Sequence, residues 1–233
     1  MVLSVVRFLL LNLVKLLAWT LFKPDIRWMT KRTFDNIRVI ALLNHTSLME
    51  PLFVAAIPTP VVWQLASRGV MPGADVTLNR PIVGRLFKWM APQVIPISRK
   101  RDGTWELFMK SLKKDSIILF VPEGRMKRLN GLDKEGKPMG VRGGIADILW
   151  QIPDGDIVLA QSGGLHHINV PGSFKVRLFQ KFQLRIDKLS IQEYKKTLGS
   201  HTELSKFKVA VVEDLNRRLR RPELFGSDLP VLI

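Results

Sequence analysis

The chain has no cysteine among its 233 residues. That excludes thiolate zinc sites, iron–sulfur ligation, a cysteine nucleophile and a disulfide framework. Acidic residues are few beside basic ones, 20 Asp+Glu against 36 Lys+Arg, for a formal charge of +16. Such an excess implies an anionic partner: nucleic acid, an anionic membrane surface or a phosphate-bearing substrate. Histidine is rare, with four in the chain, so imidazole chemistry has few places to sit. No internal repeat and no second domain is visible. Hydrophobic residues at 46% and charged residues at 24% exclude a disordered chain and a coiled coil. The length suits one domain whose core needs no metal or disulfide staple.

What is present begins with an apolar run. Residues 2–22 read VLSVVRFLLLNLVKLLAWTLF, broken only by Ser4, Arg7, Asn12, Lys15 and Thr20. The length is close to the ~20 residues of a membrane span. Arg7 and Lys15 are expensive at a bilayer centre. They sit about 80° apart on a helix at 100° per residue. A helix lying in one leaflet therefore fits better than a clean span, and the cationic stems can snorkel. A buried core helix is the alternative. No basic lead-in and no small-x-small cleavage site mark a signal peptide. Lys23, Arg27, Lys31, Arg32 and Arg38 follow, against Asp25 and Asp35. That flank predicts membrane localisation at a cytoplasmic face, as on a bacterial inner membrane. Nucleic acid is not expected as a partner, because no helix-turn-helix, finger or RNA-reading aromatic pattern is visible.

The remainder alternates. Strand runs are expected at Ile37–Leu43, Val61–Ala66, Val94–Ile97, Ser116–Val121, Ile157–Gln161, His166–Val170 and Phe174–Ile186. Helices are expected over Glu50–Ile57, Pro81–Met90, Gly103–Lys114 behind an Asp102 cap, Gly144–Gln151 and Glu203–Arg220. Arg217, Arg218, Arg220 and Arg221 give the last helix a basic end. Residues 126–140 form a long polar, Gly-rich loop. This order predicts an α/β fold: a single domain over 25–233 with a mixed central sheet flanked by helices. Residues 1–24 form a membrane-associated helix before it.

Candidate chemistry gathers at strand ends, where α/β folds keep their sites. Asn44-His45-Thr-Ser-Leu-Met-Glu50-Pro51 places a carboxylate five residues after a histidine. On a regular helix the two would point about 140° apart. Pro51 holds Glu50 out of helical geometry, so a loop can fold the carboxylate back onto the imidazole. A carboxylate on one ring nitrogen fixes the tautomer and leaves the other to take a proton. That makes a general base for a hydroxyl. Ser47-x-x-Glu50 equally matches a capping box, with Glu50 satisfying backbone donors. Val121-Pro122-Glu123-Gly124-Arg125 leaves the SIILFV strand with a carboxylate, a flexible glycine and a guanidinium, suited to a polyol and a phosphate; a solvated turn is the alternative. Ile97-Ser98-Arg99-Lys100-Arg101 ends another strand in cations.

Read in order, these loops resemble the glycerophospholipid acyltransferases, the lysophosphatidic acid acyltransferase family. The carrying stretches are NHTSLME at 44–50, PQVIPISR at 92–99 and FVPEGR at 120–125. RPIVGRLFKWMAP at 80–92 resembles the family's Pro-x-x-Gly linker helix, and GVRGGIADI at 140–148 its Gly-Ala helix. The resemblance implies acyl transfer from acyl-CoA or acyl-carrier protein to the hydroxyl of a lysophospholipid, above all 1-acyl-glycerol-3-phosphate, at an anionic membrane surface. It implies His45 as base and Glu50 as its partner, with Asn44, Arg99, Glu123, Gly124 and Arg125 holding the acceptor. No metal and no cofactor beyond the acyl donor is implied. Glu50 stands where the family usually has Asp, Thr is missing before Arg125, and no Val-Pro follows the strand at 157–164. A different lipid or glycolipid acceptor, or a catalytically silent membrane-surface protein, are the other readings. His166 and His167 are read as strand or loop residues.

Overall fold

A computed structural model describes residues 1–81, 83–98, 102–173 and 175–220. The chain opens with helix α1 (Val2–Leu21), followed by strands β1 (Lys23–Trp28) and β2 (Ile37–Leu43). A 3₁₀ helix over Glu50–Ala56 leads into α2 (Thr59–Arg68), β3 (Gly69–Ala74), α3 (Asp75–Leu78), α4 (Val83–Met90) and β4 (Gln93–Ile97). Next come α5 (Thr104–Ser111), β5 (Ile117–Phe120), α6 (Gly144–Gln151), β6 (Asp156–Gly163) and α7 (Leu165–Ile168). β7 (Lys181–Ser190), α8 (Ile191–Thr197) and α9 (Leu204–Leu219) complete the described chain. The strands form one mixed sheet in the order β1-β7-β6-β2-β5-β3-β4. β6 and β7 are antiparallel; the other pairs are parallel.

Alternation along β2 explains the two layers. Ile40 and Leu42 face α1, the 3₁₀ helix and α2, while Val39, Ala41 and Leu43 face α6 and α9. Successive side chains of a strand point to opposite faces, so a strand buried on both faces reads as a continuous apolar run. The fold is thus the single α/β domain with a mixed central sheet that the alternating pattern predicts.

Several local expectations need correction. Val61–Ala66 is helical within α2. Its β-branched start resembles a strand, but Val61, Val62, Leu65 and Ala66 are the buried residues, and a 3–4 spacing is a helix face. His166–Val170 is not a strand: Gly164 at φ +81° ends β6 and α7 starts at once. The strand expected from Phe174 begins at Lys181; Lys175 and Arg177 precede it, and Phe174 lies outside the described residues. The basic segment Lys23–Trp28 is a strand whose Asp25 meets Arg185 Nη2 at 3.1 Å. Arg221 and the residues after it lie outside the description.

α1 is long and apolar enough to cross a membrane, and it also packs on the domain. Leu11 and Ala18 are buried. Both cations turn inward: Lys15 Nζ donates to the Ile57 carbonyl at 2.6 Å, and Arg7 Nε is buried. Trp19 Nε1 donates to the Ala55 carbonyl at 3.3 Å. The outer face therefore carries Leu3, Val6, Leu9, Leu13, Leu16 and Leu17 with no cation among them, all exposed.

Candidate active site

β2 ends at Leu43 and the chain turns on Asn44, which takes a left-handed φ of +65°. Asparagine tolerates that region better than most residues. Its buried side chain ties three segments together. Nδ2 donates to the Ser162 carbonyl at 2.8 Å, and Oδ1 accepts from Lys127 Nζ at 3.1 Å. Ser162 Oγ returns a bond to the Asn44 carbonyl at 2.8 Å.

His45 follows, and the loop folds back. Pro51 does not hold Glu50 out of the helix as expected: Glu50 is the first residue of the 3₁₀ helix. Glu50 opens the 3₁₀ helix and places Oε1 2.7 Å from His45 Nδ1. The same oxygen accepts from the Ser47 amide at a longer 3.4 Å, so half of the capping box is also made. Ser47 Oγ meanwhile accepts from the Met49 amide at 3.2 Å. Burial alone would lower the His45 pKa. The charge and hydrogen bond of Glu50, with the Glu123 charge behind them, outweigh it and hold the pKa above its ordinary value.

Glu123 is 1% exposed and stands behind the histidine. Its Oε1 accepts from the Asn44 amide at 2.6 Å and the His45 amide at 3.2 Å. Burial pushes its pKa up, opposed by Lys127, His45 and those amides. Gly124 then takes φ +63°, and a Cβ there would lie 3.5 Å from Arg142 Cδ. A side chain would be strained by that φ, although the space beside Arg142 would admit a Cβ.

A cavity of about 680 Å³ opens in front of His45 and Glu50. β3 pairs with β5 only at Gly69–Ile117 and Val70–Ile118, then runs on beside β4 to Ala74. The two strands part there, and the cavity fills the split. Met71–Ala74 form one wall and Leu119–Pro122 the other. Leu11, Ile40, Phe53 and Leu65 make its depth apolar.

Of the expected residues, His45, Glu50 and Gly124 line this cavity. Asn44 and Glu123 support it from behind. Arg125 does not line it. Its Nη1 is bonded to Asp133 Oδ2 and lies 3.4 Å from Glu135 Oε2, within the 126–140 loop. The Lys137 amide first, then Arg125, bring the Asp133 pKa down to about 2. Arg99 lies outside the described residues. His166 and His167 stack with ring centres 4.0 Å apart on α7 and do not line the cavity. Among the described residues no group of three or more His, Asp or Glu is placed to hold a metal ion.

The sequence reading missed Arg142. It lines the cavity, its Nε donates to the Glu123 carbonyl at 3.2 Å, and its amide donates to the Pro122 carbonyl at 2.9 Å. Asn216 on α9 holds the preceding amide, Val141, at 2.9 Å. The available signal was a lone cation within the glycine-rich Gly140-Val-Arg-Gly-Gly144.

No family model matches the chain, and no curated protein matches it. Its fold is similar to the crystal structure of the 1-acyl-sn-glycerophosphate (LPA) acyltransferase, PlsC, from Thermotoga maritima. The TM-score is 0.56 and the identity 16%, over 91% of this chain and 80% of that one. At that identity the likeness is one of fold.

Proposed function

We propose that the chain is a membrane-associated acyltransferase. It moves a fatty acyl group from acyl-CoA or acyl-carrier protein to the hydroxyl of a lysophospholipid, foremost 1-acyl-glycerol-3-phosphate. The observation that carries this reading is the 2.7 Å His45–Glu50 pair at the wall of a deep apolar cavity. A structural neighbour that is an LPA acyltransferase supports it.

Glu50 holds Nδ1, so Nε2 is the nitrogen offered to a substrate hydroxyl. Nε2 takes the hydroxyl proton as the oxygen attacks the thioester carbonyl. The tetrahedral adduct collapses with cleavage of the C–S bond, and the imidazolium returns its proton to the departing thiolate. The acyl chain has an apolar cavity within the size range of small-molecule sites. With Arg125 bound to acids, Arg142 is, among the described residues, the cation at the cavity wall for the acceptor's anionic headgroup. The outer face of α1 would rest in the cytoplasmic leaflet, as on a bacterial inner membrane.

The test is incubation of detergent-purified protein with labelled acyl-CoA or acyl-carrier protein and a panel of lysolipids. Product with a lysophospholipid, lost in His45→Ala, is expected. Product that survives His45→Ala would refute the mechanism.

A further inference from the structure

α4 has two faces of different use. Gly84 is buried, and Phe87 and Met90 point inward to line the cavity. Leu86 and Trp89 point outward and are 44% and 50% exposed. Arg85 and Lys88 stand exposed beside them. A short helix that shows a leucine, a tryptophan and two cations to solvent has the composition of an interfacial helix.

The patch is not isolated. α1 packs against both α4 and α2. Trp63 on α2 is 41% exposed, and its ring meets Phe8 of α1 edge-on at 5.5 Å. Val76 on α3, which packs against α4, is also exposed. The outer faces of α1, α2, α3 and α4 thus carry one run of exposed apolar side chains. Its charge is mainly positive: residues 51–98 contain Arg68, Arg80, Arg85 and Lys88 against Asp75 alone.

We propose that α4 is a second bilayer contact, laying Leu86 and Trp89 in the same anionic leaflet as the outer face of α1. An anionic leaflet satisfies both the apolar run and its cationic border. The inner faces of the two helices wall the cavity, through Leu11 of α1 and Phe87 and Met90 of α4. On the acyltransferase reading, a lipid chain then passes from leaflet to cavity beside α4 without crossing water.

The absence of cysteine makes a single label unambiguous. Leu86→Cys, Trp89→Cys and Leu13→Cys would each carry an environment-sensitive fluorophore, with Glu193→Cys on α8 as the reference. Vesicles of phosphatidylcholine and phosphatidylglycerol should shift emission at 86, 89 and 13 to the blue and expose it to quenching by a brominated lipid. The label at 193 should not respond. Labels at 86 and 89 that stay in water while 13 inserts would overturn the proposal. So would labels at 86 and 89 that respond only to acyl-carrier protein, which would assign the patch to a protein. Arg85→Gln with Lys88→Gln should weaken binding to these vesicles roughly fivefold per charge and leave phosphatidylcholine vesicles unaffected; unchanged affinity would count against it.

The route into the cavity has its own test. Leu86→Ser with Trp89→Ser should slow turnover of a long-chain acceptor in vesicles while sparing a short-chain, water-soluble one. Equal loss on both would remove that role from α4. Labels that insert in a protein that acylates no lysolipid would leave the contact standing and defeat the acyltransferase reading.

Discussion

His45 Nδ1 and Glu50 Oε1 stand 2.7 Å apart although the residues are five positions apart in the chain. A regular helix would point them about 140° apart. The 3₁₀ helix starts only at Glu50, with Pro51 in its first turn, and the intervening residues 46–49 bring the carboxylate onto the ring. We expect His45→Ala to abolish acyl transfer while circular dichroism stays native. Glu50→Gln should lower kcat by roughly 10²–10⁴-fold. On the proposed mechanism the base works as neutral imidazole, so activity should fall as pH drops through the His45 pKa, which Glu50 helps hold up. Removing that charge should move the acidic limb of kcat/KM to lower pH. A limb that stays in place would mean that another group sets it.

Glu123 touches the His45 loop and does not line the cavity. One oxygen receives both the Asn44 and His45 amides. Glu123→Ala strands two buried donors, at about 1–3 kcal/mol each, and should lower both the urea midpoint and kcat. Glu123→Gln keeps an accepting oxygen and should recover most of the stability. Equal damage from both changes would show that the charge, not the two bonds, matters.

Arg142 and Arg125 should separate in kinetics. Arg142→Ala should raise KM for an anionic acceptor by roughly ten- to a hundredfold, the scale of a charge-assisted bond, and less for an uncharged one. Arg125→Ala should change that KM by less than about fivefold, because its partners are Asp133 and Glu135. The opposite ranking would place the headgroup at Arg125.

Gly84 permits the close approach of α4 to α3. A Cβ there would sit 2.0 Å from the Leu78 carbonyl oxygen, which is backbone and cannot turn aside. Gly84→Ala should displace α4 or unfold it, by more than the usual surface change of about 0.5 kcal/mol. A thermal midpoint equal to wild type would contradict this.

His166 should mark an acid limit on stability. Burial first, then the His167 charge, bring its pKa from 6.5 down to about 4. The unfolded chain binds that proton more readily, so stability should fall as pH drops from 6.5 towards about 4. His166→Asn should flatten the urea midpoint across that window. An unchanged slope would assign the acid sensitivity to another group.

The sequence by itself determined the elements whose signals are local. A run such as Ile37–Leu43, buried on both faces, is apolar but for Arg38 and ends at the same residues in sequence and structure. Gly144–Gln151 is likewise complete. Pro51 after Glu50 made the folded-back His–Glu pair readable. Val61–Ala66 was not readable, because a short apolar run satisfies a strand and a buried helix face equally until its neighbours are known. Only the folded chain separates Arg125 from Arg142. Arg125 and Arg142 look alike as letters, but Asp133 and Glu135 meet one and the cavity wall receives the other. The inward turn of Arg7 and Lys15, which leaves α1 an outer face without a cation, was decided the same way. Local sequence sets the period of a helix, but which side meets the protein depends on carbonyls such as that of Ile57, which lie far along the chain and come close only on folding.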